Sequence, residues 1–218
     1  MTDIDLQLVR EFFELNSFQV TTRWRQHDPV EAPADGGLQL YVENAKPGPE
    51  QELNAVLHPS DLPYIRCAVV EIRAWHTDRF YSSLIESNPV LTQFAEPAAL
   101  GPATDFFGTD DFKTIIVVSE LPRAAEQRSQ AIQRLKRTGI DHLIEFPSVL
   151  QSLASKIVLN GTYIGSPTLQ ILQLLKRYRL LRNQQLEFMF PAEPQIILPM
   201  RETNVEVAGE DEADEWSS

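Results

Sequence analysis

Glu71 and Arg73 stand two residues apart in Ile65-Arg66-Cys67-Ala68-Val69-Val70-Glu71-Ile72-Arg73-Ala74-Trp75-His76, a β-branched stretch bounded by turn signals. Such a run reads as a strand. Its side chains alternate between faces, so Cys67, Val69, Glu71, Arg73 and Trp75 share one side, while Ala68, Val70, Ile72 and Ala74 form an apolar side that must be covered. A carboxylate and a guanidinium on an otherwise apolar strand are either a structural ion pair or part of a site. His76 and His58 read as strand-end and turn residues, Trp75 as packing rather than a base-stacking platform, and Cys67 as a small buried hydrophobe.

Basic groups gather further along. Arg123, Arg128, Arg134, Lys136 and Arg137 fall on one predicted helix, and Lys176, Arg177 and Arg179 on another, interleaved with Tyr178. They read as solvated faces, or as the kind of surface that meets a phosphate backbone. Gly-x-Ser-x-Gly, Gly-Lys-Ser/Thr and Gly-x-Gly-x-x-Gly are absent, which removes the common serine-nucleophile, phosphate-loop and dinucleotide signatures. The one cysteine and four histidines lack zinc-site spacing.

The net charge of −12 is unevenly spread over the 218 residues. Residues 1–112 carry 7 basic and 18 acidic groups, residues 113–201 carry 12 and 6, and residues 202–218 carry 7 acidic groups and no basic one. An acidic total argues against indiscriminate nucleic-acid binding, while the basic middle leaves room for a local basic face. The acidic first half and tail also suit a basic protein partner. No run of about 18 apolar residues exists, so no transmembrane helix is expected. An acidic N-terminus without an apolar signal core, and a single cysteine, predict a cytoplasmic protein.

The elements that must position these residues follow in order. Thr2 or Asp3 caps a predicted helix to Leu15, with Ile4, Leu8, Phe12 and Leu15 as its apolar stripe. Strands are predicted at Phe18–Trp24 and Leu38–Val42, separated by the Pro- and Gly-containing loop 26–37. A short helix is expected over Glu50–Leu57, then a turn through His58–Pro63 into the central strand. Thr77–Ser87 is predicted helical, Leu100–Gly108 irregular around Gly101-Pro102, and Phe112–Ser119 a strand covered on both faces. Pro122 opens a helix to Arg137, with Gly139 placed as its C-terminal cap. His142–Phe146 is the next strand, Ser148–Val158 a helix, and Ser166-Pro167 opens another to about Leu181. Leu186–Phe190 and Gln195–Leu198 could pair as edge strands, and the acidic tail from Gly209 is expected to be disordered. The alternation predicts an α/β sandwich with a mixed sheet. Residues 1–150 form the expected core, 151–200 a helical extension with short edge strands, and 201–218 a tail.

In element order and in Glu71-Ile72-Arg73, residues 3–150 resemble the restriction-endonuclease-like superfamily, the PD-(D/E)XK nucleases, as a divergent member. That architecture has an opening helix, three meandering strands whose third carries Glu-x-Lys, then helix, strand, helix and strand. The resemblance implies that two carboxylates on adjacent strands hold a divalent cation, Mg²⁺ or Mn²⁺, which activates water against a DNA phosphodiester. Glu71 matches the metal ligand. Arg73 replaces the lysine and, always protonated, can hold a phosphate but cannot act as a base. The matching stretch before the central strand offers Gln39, a poor replacement for a carboxylate at a hard cation. Asp61 mimics the written motif in Pro59-Ser60-Asp61 but lies roughly 30 Å from Glu71 if the segment is extended. Glu11 or Glu14 corresponds to the carboxylate some members supply from the first helix. The expectation is a nuclease-like protein with a degenerate site, cofactor-free, binding nucleic acid or a protein partner, with a homodimer compatible. The alternatives are an active variant Mg²⁺-dependent DNA endonuclease with Glu71, Arg73 and either Glu11 or Asp61, and an acidic interaction subunit with no nucleic-acid role.

Overall fold

The computed structural model describes residues 3–24, 38–74, 76, 79–88 and 91–181. The chain divides into a unit Met1–Asn183 and a second, Gln184–Ser218, and every described residue falls in the first. The predicted loop 26–37, Trp75, the two C-terminal edge strands and the acidic tail lie outside the described residues.

Five strands, β1 (Phe18–Trp24), β2 (Leu38–Asn44), β3 (Cys67–Arg73), β4 (Lys113–Val118) and β5 (His142–Glu145), form one sheet in sequence order. The β1–β2 and β2–β3 pairs are antiparallel, and the β3–β4 and β4–β5 pairs are parallel. Every residue of β3 is buried, and so is all of β4 after Lys113. Helices must therefore cover both faces, and they do. The chain is an α/β sandwich with a mixed sheet.

The first face carries α1 (Asp3–Leu15), α5 (Phe146–Lys156) and α6 (Pro167–Arg177), whose Phe12, Val149 and Leu169 pack with Val70, Ile72 and Val117. The second carries α2 (Ser82–Ser87), α3 (Pro97–Phe107) and α4 (Ala125–Arg137), whose Ile85, Ala103 and Leu135 pack with Val69, Ile116 and Val118.

The opening helix is in its expected place but turned. Val9, Phe12 and Phe13 are buried, while Ile4 is 61% exposed. The reason is aromatic: Phe13 packs edge-on against both Phe12 and Phe18, with centroids 5.2 and 5.3 Å apart, which draws the Phe13 side inward. That rotation also buries Asp5.

Two segments also take a different structure from the one expected. Glu50–Leu57 is extended rather than helical: Leu143 N–H donates to the Ala55 carbonyl and Leu57 N–H to the Leu143 carbonyl, both at 2.8 Å. The segment covers the outer edge of β5, and the ladder bonds gained there outweigh a weak helical pattern. Conversely, Gly101-Pro102 sits inside α3. Leu100, Ala103 and Phe107 recur on one side of that helix and meet the second core, so burial overrides the missing proline N–H. Gly139 ends α4 at φ +87, the left-handed conformation predicted for it, with Ala95 O 3.4 Å from where a Cβ would stand.

Candidate functional site

The Glu71–Arg73 pair lies on the second face of the sheet and inside it. Arg73 Nη2 donates to Glu71 Oε1 at 2.7 Å, with the side chains 6% and 1% exposed. Gln39 stands directly opposite Glu71 in the β2–β3 register, and Arg23 opposite Gln39 in the β1–β2 register. A row Arg23–Gln39–Glu71 thus crosses three strands, with Arg73 one pleat further along. Gln39 Nε2 and Arg73 Nε are buried without a hydrogen-bond partner among the described residues, a cost to stability in a low-dielectric interior. Arg23 turns to the aromatic rim, its guanidinium carbon 5.6 Å from the Tyr41 ring centroid and 5.8 Å from that of Phe106.

Such a set makes a poor cradle for a hard cation. One carboxylate already engaged by a guanidinium, one amide and a second arginine offer too little negative charge for Mg²⁺ or Mn²⁺. Among the described residues, no group of three or more His, Cys, Asp or Glu side chains is placed to hold a metal ion.

The other carboxylates drawn toward this chemistry lie elsewhere. Glu11 is buried on α1, which packs on the opposite face of the sheet. It accepts hydrogen bonds from Ser166 Oγ, Thr168 Oγ1 and Gln7 Nε2. Ser166 is the N-cap of α6, its Oγ also accepting from Leu169 N–H, so Glu11 clamps the start of that helix. Glu14 pairs on the surface with Arg10 at 2.8 Å. Asp61 closes the turn before the 3₁₀ segment Leu62–Tyr64, accepting from His58 N–H at 2.8 Å. It stands before the start of β3, whereas Glu71 is near that strand's end.

The basic residues divide by partner. Arg128 grips Glu145 with two hydrogen bonds, of 3.2 and 2.6 Å, and Arg134 is 3.6 Å from Glu86. Burial raises the Glu145 pKa, but the hydrogen bonds from Arg128 and from Leu121 N–H outweigh it, and the net direction is down. Lys176 donates to the carbonyls of Ala154, Ser155 and Ile157, which caps the C-terminal end of α5. Arg123, Lys136, Arg137, Arg177 and Arg179 are exposed.

No protein-family model, curated protein or solved structure matches this chain. What it can do is read from its own groups.

Burial pushes the Cys67 thiol up, with Arg66 partly opposing, which disfavours the nucleophilic thiolate. It is a packing residue. A contact that the sequence does not signal joins His76 to Asp5, Nε2 to Oδ1 at 3.0 Å, across a separation of 71 residues. Only the docking of α1 brings them together, so no spacing signals it.

Proposed function

We propose that this chain is a restriction-endonuclease-like module in which the catalytic position has become an internal ion pair, and that it binds nucleic acid or a protein partner without cutting. The observation that carries this reading is the row Arg23–Gln39–Glu71 with Arg73 closing on Glu71 at 2.7 Å. An opening helix, an antiparallel meander of three strands and two parallel strands added after it support the nuclease-like core. Glu71 occupies the place of the metal-binding glutamate, Gln39 that of the aspartate and Arg73 that of the lysine. The two substitutions remove a negative charge and make the existing positive one permanent, which turns a cation cradle into a salt bridge.

Binding then falls to the surface. Arg123, Lys136 and Arg137 on or just before α4 provide positive charge not spent on a carboxylate among the described residues. Around α6, Ile171, Leu174 and Tyr178 are 52–70% exposed, a surface suited to a partner. Fluorescence anisotropy with labelled duplex DNA at increasing salt tests the nucleic-acid branch. A log–log salt slope near −2 to −3 that shrinks by about one unit per charge removed in K136Q and R137Q is expected if these groups meet phosphates. Binding that ignores both salt and the substitutions would leave the protein-partner branch.

A further inference from the structure

Three chain exits meet at one end of the sheet. β3 leaves through Arg79 to Tyr81, β4 through Ser119-Glu120, and β5 directly into α5 at Phe146. Backbone hydrogen bonds tie the exits together: Phe80 N–H donates to the Glu120 carbonyl at 2.7 Å, and Phe146 N–H to the Ser119 carbonyl at 3.2 Å. After β4 the chain goes to α4 on the second face, whereas after β5 it goes to α5 on the first. Adjacent parallel strands whose continuations part to opposite faces leave a crevice at their carboxyl ends, where open α/β sheets bind ligands.

Here the crevice is a cleft of about 520 Å³, lined by His76, Arg79, Tyr81, Ser119, Phe146 and Leu150 among others. One wall is polar and fixed. His76 is held by the buried Asp5 through Nε2 and packs edge-on against Phe146, the ring centroids 4.7 Å apart. Arg79 Nε lies 3.6 Å from Glu120 Oε2, longer than a good hydrogen bond, and among the described residues its terminal nitrogens make no hydrogen bond, an arrangement suited to a bidentate anion. The remaining wall is apolar, with Tyr81 and Leu150 40% and 39% exposed at its mouth.

We propose that this cleft binds a small molecule that carries a phosphoryl group on a planar or apolar body, of the size of a nucleoside monophosphate. Arg79 holds the phosphoryl oxygens, the His76 ring, anchored by Asp5, forms the side wall, and Tyr81 and Leu150 cover the body. Glu120 holds Arg79 loosely until the phosphoryl group replaces it. No residue of the Glu71 pair takes part, so the assignment stands apart from the nuclease-like reading.

The test is calorimetric titration of the full chain with AMP, adenosine and inorganic phosphate, repeated on Arg79→Gln and Glu120→Gln, with circular dichroism to verify folding. The expected result is saturable AMP binding at least tenfold tighter than either fragment. Arg79→Gln should weaken it at least tenfold, and Glu120→Gln should tighten it. Absence of saturable AMP binding, adenosine binding as tightly as AMP, or AMP affinity unchanged in Arg79→Gln would each overturn the proposal.

Discussion

At the scale of the residue, the Glu71–Arg73 bond makes a sharp energetic claim. Removing one member of a buried pair leaves the other charge in a low-dielectric interior, so Arg73→Met should destabilise by about 3–5 kcal/mol. Replacing both, as in Glu71→Leu with Arg73→Met, should recover most of that loss, because two well-packed apolar side chains carry no desolvation penalty. Urea unfolding of Arg73→Met, Glu71→Leu and the double variant measures the cycle; a single variant costing under about 1 kcal/mol would mean that the pair is not sealed from water. The face shared by Glu71 and Arg73, and the candidacy of Gln39 as the neighbour across the strand, were legible in the sequence because period-two alternation and element order suffice for them. The Asp5–His76 contact was not. It depends on the rotation of α1, which the aromatic packing of Phe13 decides over the regular stripe through Ile4.

At the scale of the element, two helices are held by single polar side chains from elsewhere in the chain. Glu11→Ala removes the acceptor of the Ser166 and Thr168 hydroxyls, and should cost roughly 1–3 kcal/mol. Amide exchange should quicken first in α6, which distinguishes loss of the clamp from a general loosening. The two ends of β5 predict the response to acid. Burial holds His142 below its ordinary 6.5, and the Arg128 and Leu121 bonds hold Glu145 below its ordinary 4.5 despite burial. Both folded values are depressed, so both stabilising contributions are present above the ordinary values and are lost as pH falls through the folded ones. Thermal stability should decline below about pH 6.5 and again below about pH 4.5. His142→Gln should flatten the first decline and Glu145→Gln the second; an unchanged profile in both would contradict the assignment. The helix boundaries were legible where caps and periodicity agreed, as at Ser166-Pro167 and Gly139. Glu50–Leu57 and Pro97–Phe107 were not, because the partner surface, a bare edge of β5 in one case and the second core in the other, overrides local propensity.

At the scale of the whole molecule, the mixed sheet clothed on both faces follows from alternating apolar runs and helical patterns, and its strand order from the short antiparallel meander. What the linear pattern could not convey is which polar groups end up sealed inside that sheet and which line its open end. The molecule separates them: an ion pair with an amide beside it within the layers, and a cleft with His76 and Arg79 where the parallel strands end. The proposal that Glu71 stands at a nuclease-like position closed by an ion pair is tested most directly by incubating the purified chain with supercoiled plasmid and millimolar Mg²⁺ or Mn²⁺, beside Glu71→Ala. The account predicts no metal-dependent nicking by either protein. Cleavage by the native chain that disappears in a folded Glu71→Ala variant would contradict it, and would make Glu71 a working metal ligand.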